Sequence, residues 1–305
     1  MNHKLREIVR AAGLDADELE RLVRVALDED LRVGPDVTSE SIIQLDQQTE
    51  AVVVARQPGV VCGLFVALAV LEAAAFPLSG VTLIHYDGGP VEGGDAVLHL
   101  CGPLRPLLLA ERTLLNFMTR LSGIATQTDA WVRALEGTGS QVRDTRKTTP
   151  GLRQLEKYAV RCGGGTNHRM GLGDAALLKD NHFAAAGGIT KAVQAIRSSH
   201  PGIELEVECD TLDQVREAVA ARCSLILLDN MDVSTMEEAI TITRRSPTTR
   251  VEASGGMTLE RARSVALAGV NFIAVGALTN SVTALDFGLD VLSPEATFTT
   301  MREGS

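Results

Sequence analysis

The stretch Asp144-Thr145-Arg146-Lys147, continuing through Thr148-Thr149-Pro150-Gly151-Leu152-Arg153, concentrates more chemically useful side chains than any other part of the chain. Asn167-His168-Arg169 and then Leu177-Leu178-Lys179-Asp180-Asn181-His182 follow it. Arg146, Lys147, Arg153, His168, Arg169, Lys179 and His182 therefore fall within one short region, punctuated by Gly163-Gly164-Gly165. The whole chain carries a formal charge of −10, so this cationic cluster runs against its background. Cations beside glycines that let the backbone approach closely suit a small polyanion.

Two carboxylates close consecutive apolar runs: Glu208 after Glu204-Leu205-Glu206-Val207, and Asp229 after Leu225-Ile226-Leu227-Leu228. Strand alternation puts Glu204, Glu206 and Glu208 on one face, so position at the strand end is what favours Glu208. The two carboxylates suit a hard metal such as Mg²⁺ held together with substrate phosphates. The alternative is a carboxylate that only pairs with a neighbouring lysine. Ser254-Gly255-Gly256 and Gly276-Ala277 each read as a strand end, a glycine turn and a helix start, an arrangement whose backbone amides bind phosphate. Lys179 ends an apolar run and suits either a Schiff base or, among arginines, an anion site. Arg153, Lys157 and Arg161 share one helix beside Glu156; the spacing puts Lys157 on a solvated face and leaves Arg161 open.

These residues need a scaffold. Helical periodicity covers Asp15 to Leu31, and Gly34 to Ser39 reads as a loop. Strands are expected at Glu50–Arg56, Gly59–Cys62, Val81–Tyr86 and Ala96–Leu100, with an apolar helix from Leu64 to Phe76. This mixture without regular alternation predicts an α+β N-terminal domain over residues 1–136, which includes a long helix at about 107–135 and takes a possible final strand from 283–292. From residue 137 to 292 short apolar strands ending at Asp144, Lys179, Glu208, Asp229, Ser254 and Gly276 alternate with helices. Six or seven such units predict an α/β barrel with fewer than eight strands, its site at the strands' C-terminal ends. Residues 293–305 read as a tail.

Composition narrows the class. Aromatics make up 3% of the chain, with Trp131 the one tryptophan, which disfavours single-stranded nucleic-acid platforms. The acidic balance, with a pI near 5.2, disfavours nucleic-acid and anionic-membrane binding. Cys62, Cys101, Cys162, Cys209 and Cys223 are scattered, with no C-x-x-C pair. Reduced cysteines in a cytoplasmic protein are the expectation. Cys162 beside the glycine run reads as a small buried hydrophobe before it reads as a nucleophile. The N-terminus lacks the apolar core of a signal peptide, and the longest apolar run is too short to span a bilayer.

The motifs together resemble the quinolinate phosphoribosyltransferase family. They are A-E-R-T-L-L-N-F at 110–117, S-G-I-A-T at 122–126, D-T-R-K-T-T-P-G-L-R at 144–153, K-Y-A-V-R-C-G-G-G at 157–165 and N-H-R-M-G-L at 167–172. L-L-K-D-N-H at 177–182, L-L-D-N-M at 227–231 and V-E-A-S-G-G at 251–256 complete the set. The resemblance implies a mixed N-terminal domain, an open barrel and a homodimer with shared active sites. It implies that Thr145, Arg146, Lys147, His168, Arg169 and Lys179 line a quinolinate site, reached by Arg112 from the partner subunit. Glu208 and Asp229 would face the ribose and metal of phosphoribosyl pyrophosphate, with Ser254, Gly255, Gly256, Gly276 and Ala277 near its 5′-phosphate. Lys147, Lys179, Glu208 and Asp229 would carry catalysis. Where the family commonly shows histidine after G-A-L-T, this chain has Asn280, which donates a hydrogen bond but carries no charge.

The implied reaction joins quinolinate to phosphoribosyl pyrophosphate with loss of CO₂ and pyrophosphate, giving nicotinate mononucleotide. Mg²⁺ is expected with the pyrophosphate, and no organic cofactor, because the pyridinium formed is its own electron sink. Competing readings are a related barrel protein encoded with molybdate transport systems, a Schiff-base aldolase using Lys179, and a non-catalytic metabolite-binding barrel.

Overall fold

A computed structural model describes residues 1–292; the tail expected at 293–305 lies outside the described residues. The chain forms two compact units. One comprises Met1–Gln127, Gln154–Gly163 and the chain from Val282; the other comprises Thr128–Arg153 and Gly164–Ser281. The division expected at residue 136 falls at 127/128, the chain from Val282 returns to the first unit as the possible final strand at 283–292 anticipated, and Gln154–Gly163 joins that unit unforeseen. The boundary was hidden in sequence because it cuts an unbroken helix.

The first unit opens with α1 (His3–Ala11), α2 (Ala16–Leu31) and α3 (Val37–Ile42). Asn2, Asp15 and Asp36 accept hydrogen bonds from first-turn amides and fix where each helix starts. Then come β1 (Gln48–Ala55), β2 (Gly59–Val60), α4 (Leu64–Ala73), β3 (Val81–Leu83), β4 (Pro90–Val91) and β5 (Ala96–Pro103). β1 and β5 pair antiparallel, with β3 outside β5. The strand expected to reach Tyr86 stops at Leu83, because the chain turns toward Gly88, whose φ of 92° suits glycine. Among the described residues no helix is long and apolar enough to cross a membrane. α5 (Leu104–Ala134) buries Leu107, Ala110, Leu114, Met118 and Leu121, a stripe at three- and four-residue steps.

The chain continues with β6 (Gln141–Arg143), α6 (Arg153–Cys162), β7 (Ala175–Leu178), α7 (Asp180–Ala186) and α8 (Ile189–Ser199). β8 (Glu204–Cys209), α9 (Leu212–Ala220), β9 (Leu225–Asp229) and α10 (Val233–Thr243) follow. β10 (Arg250–Ser254), α11 (Leu259–Leu267), β11 (Phe272–Ala274) and α12 (Ala277–Asn280) complete the alternation. Six parallel strands stand in the order β6-β11-β10-β9-β8-β7. That is chain order with the first strand moved beside the last, as a barrel with one open seam requires. On the seam side Arg143 of β6 makes a single parallel bridge to Thr166. The second unit is therefore an open α/β barrel of six strands, and the strands' C-terminal ends gather at one mouth. β12 (Phe287–Val291) then pairs antiparallel with β1 in the first unit, along Ala51–Ala55.

α6 corrects one reading. Its residues Leu155 to Val160 are buried in an unbroken run, so the position of Lys157 is not on a solvated face. Lys157 is 0% exposed, and Glu156, equally buried, accepts from Arg120 at 2.9 Å. Cysteines at all five positions are free.

Candidate active site

The barrel mouth holds a cavity of about 420 Å³. Thr145, Arg146 and Lys147 enter it from the loop after β6, and His168 and Arg169 from the turn after the Thr166 bridge. Lys179, Glu208, Asp229 and Ser254 enter from the ends of β7, β8, β9 and β10. Leu177, Leu227 and Ala274 supply apolar wall, and Glu252 borders it from within β10. Every strand end thus contributes, because parallel strands present their last side chains to one mouth.

Local bonds fix the cationic side. Asp144, fully buried, accepts from the His168 amide at 2.9 Å and from the Asn167 side chain, which shapes the Asn167–Arg169 turn. Arg153 does not line the cavity; it donates to Thr148 Oγ1 and to the Met170 carbonyl, each at 3.0 Å, and so braces the loop that carries Arg146. His182 likewise stands outside the lining, and its Nδ1 accepts from the Lys179 amide at 2.9 Å as part of a capping box at α7. Burial and then the neighbouring Arg146 hold the Arg169 guanidinium below its usual value. Two guanidiniums placed this close favour an anion between them.

The acidic side stands opposite. Lys179 Nζ donates to Glu208 Oε2, with the side chains 44% and 18% exposed, so the lysine pairing foreseen as an alternative for Glu208 does form. It leaves the metal reading open, since Glu208 and Asp229 still offer carboxylate oxygens from adjacent strand ends. That is the donor type Mg²⁺ takes, so the residues fit the ion.

Five expected residues are absent from the cavity lining. Arg112 belongs to the first unit. Gly255 and Gly256 directly follow β10, Gly276 is the N-cap of α12 and Ala277 its first residue, so these positions offer backbone rather than side chain. Gly255 has a φ of 87°, and a Cβ there would stand 2.2 Å from Asn230 Oδ1, so no other residue fits. A Cβ on Gly276 would stand 2.8 Å from Lys147 Cδ. Asn280 Oδ1 accepts from Ser281 Oγ at 2.7 Å.

The spacing of motifs gave no role to the charges under the cavity floor. Arg143 Nη1 donates to Glu252 Oε2 at 2.7 Å, and His168 Nε2 lies 2.7 Å from Glu206 Oε2. Burial first, then Glu206, pushes the Glu252 carboxyl up to about 7, against the opposing pull of Arg143 and His168. His168 therefore serves the floor as much as the cavity: its Nδ1 accepts from the Arg169 amide at 2.7 Å, so its ring proton sits on Nε2. The visible signal was Glu206 and Glu252 in the middle of β8 and β10, with Arg143 at the end of β6.

Fold and cavity together define a barrel enzyme acting on small, multiply charged anions. The C-terminal domain model of quinolinate phosphoribosyl transferase matches residues 124–290, and the N-terminal domain model matches residues 36–122. The chain belongs to the quinolinate phosphoribosyltransferase family. It is 47% identical over 274 residues to the nicotinate-nucleotide pyrophosphorylase [carboxylating] of Mycobacterium leprae, covering 88% of this chain and 95% of that protein. A probable enzyme of the same name from Bacillus subtilis is 42% identical over 90% of this chain and 93% of its own. The solved nicotinate-nucleotide pyrophosphorylase from Francisella tularensis superposes with a TM-score of 0.85 at 38% identity, covering 90% of this chain and 96% of that one.

Proposed function

We propose that this protein transfers the phosphoribosyl group of phosphoribosyl pyrophosphate to quinolinate and releases CO₂ and pyrophosphate, forming nicotinate mononucleotide in NAD biosynthesis. The observation that carries the reading is one cavity in which Arg146, Lys147, Arg169 and Lys179 face Glu208 and Asp229. The cations hold the two adjacent carboxylates of quinolinate and so orient its ring nitrogen toward the sugar. As pyrophosphate leaves, positive charge grows on the ribose, and Glu208 and Asp229 stabilise it across a partly dry cavity. Glu208 and Asp229 would hold Mg²⁺, which would neutralise charge on the leaving group. Backbone amides at Gly255, Gly256, Gly276 and Ala277, with Ser254, take the 5′-phosphate. No organic cofactor is needed, since the pyridinium nitrogen draws off the electrons that CO₂ leaves behind.

We read the working unit as a cytoplasmic homodimer in which Arg112 completes the partner's site. The test is direct: protein, quinolinate, phosphoribosyl pyrophosphate and Mg²⁺ should yield nicotinate mononucleotide and CO₂. Nicotinate lacks one carboxylate and should bind more weakly by about 1.5–3 kcal/mol, the worth of one charge-assisted pair. Equal turnover of nicotinate would reject the assignment of the cations.

A further inference from the structure

Loss of CO₂ from the carbon beside the ring nitrogen leaves an electron pair there, and the product forms only when a proton reaches that carbon. We propose that Glu252, held as its neutral acid at the cavity floor, delivers this proton; the inference rests on the reaction assigned above. Glu252 is 0% exposed yet borders the substrate cavity. Its Oε2 is taken by Arg143, while Oε1 has no hydrogen-bond partner.

The neighbours decide which carboxyl keeps a proton. Ligand atoms of Glu252, Glu206 and His168 all lie within 4.8 Å of one another. Two carboxylates this close in a buried layer do not both ionise cheaply. His168 Nε2–H points at Glu206 Oε2, 2.7 Å away, and stands 3.7 Å from Glu252 Oε1, so the ring supports the Glu206 anion. The charged groups around Glu252 are Arg143 from β6, His168 from the turn and Glu206 from β8; its register partners Leu227 on β9 and Phe272 on β11 are apolar. Burial and Glu206 hold Glu252 near 7, so the acid survives at neutral pH and still gives its proton readily. Lys147 and Lys179 also reach the cavity, but deprotonating either would weaken the grip on the substrate carboxylates.

The step balances. The bond from the ring carbon to the carboxylate breaks, its electron pair stays on the carbon beside the positive nitrogen, and that pair takes the Glu252 proton to form a C–H bond. Solvent then returns a proton to Glu252. A second cavity of about 210 Å³, lined by Arg143, His168, Arg169 and Glu206 and reaching Glu204 at the start of β8, brings solvent to the neighbours of Glu252.

The experiment measures single-turnover formation of nicotinate mononucleotide from quinolinate with phosphoribosyl pyrophosphate and Mg²⁺, on either side of pH 7. The wild-type rate should fall as pH rises through about 7, where Glu252 ionises. Glu252→Gln keeps an acceptor for Arg143 but holds no acidic proton; it should lose about 100-fold or more in rate, and lose the alkaline limb, with quinolinate binding unchanged. Glu252→Asp should restore a rate that again falls at alkaline pH. A wild-type rate that does not fall above neutral pH overturns the proposal whatever the variants do, and so does a Glu252→Gln protein that forms the mononucleotide at the wild-type rate. A wild-type protein that makes no CO₂ or mononucleotide overturns the functional reading instead.

Discussion

Glu208→Gln should tighten quinolinate binding while it weakens use of phosphoribosyl pyrophosphate. In the ligand-free protein Glu208 already holds Lys179, so a substrate carboxylate must take the ammonium from an internal competitor. The side chains are 44% and 18% exposed, which places the pair among partly solvated ones worth about 0.5–1 kcal/mol. Removing the glutamate charge should therefore improve quinolinate affinity by roughly 2–5-fold, read by calorimetry at low salt without the second substrate. Lys179→Ala should weaken it by about 10–150-fold, the equivalent of one charge-assisted pair. In the Lys179→Ala background the gain from Glu208→Gln should vanish, giving a coupling of about 0.5–1 kcal/mol. Weaker quinolinate binding by Glu208→Gln, or the same effect with and without Lys179, would refute the competition.

Three further outcomes are expected. Glu208→Ala and Asp229→Ala should raise the Mg²⁺ and phosphoribosyl pyrophosphate requirement far more than the quinolinate requirement, and intact phosphoribosyl pyrophosphate binding and turnover in both variants would reject the metal assignment. Arg112→Ala and Lys179→Ala homodimers should each be nearly inactive, yet after subunit exchange should recover about a quarter of wild-type activity, since half the dimers are mixed and half their sites are intact. Mass spectrometry showing exchange without recovery would remove Arg112 from the shared site. Glu252 holds its proton longer in the folded than in the unfolded chain, so its contribution to stability is complete below about pH 4.5 and lost as pH rises through about 7. Wild type should lose up to about 3 kcal/mol over that interval relative to Glu252→Gln, measured as denaturant midpoints across pH; parallel curves would deny the raised pKa.

Much of the site was legible because parallel strands make a simple promise: whatever ends a strand reaches the mouth. Lys179, Glu208, Asp229 and Ser254 could be picked on that ground alone, and all four line the cavity. The basic loop was legible from its density of charge against an acidic chain. Lys157 misled because spacing of charges along one helix was read as a wet face, whereas burial of α6 runs through six consecutive residues. The helix's membership of the first unit depends on contacts far apart in sequence, and no local pattern announces it.

The charges beneath the floor failed to stand out for a geometric reason. Hydrogen-bond register aligns Glu206 with Leu225 and Leu225 with Arg250, and it aligns Glu208 with Leu227 and Leu227 with Glu252. The side chains that meet inside the barrel are different ones. Glu204 pairs with Arg250 at 2.6 Å, and Glu206 approaches Glu252. Across two strand spacings the partners have shifted by two residues, as tilted strands in a barrel-like sheet demand. Alternation alone puts Glu204, Glu206 and Glu208 on one face; only the tilt says that they face Arg250, Glu252 and Ser254 in turn. The three glutamates thereby acquire three environments: an exposed ion pair at the base, a buried carboxyl neighbour in the middle, and the substrate cavity at the mouth. The middle level is where charge is hardest to sustain, so the shift of two residues is what brings Glu206 and Glu252 together there and keeps one of them as a neutral acid.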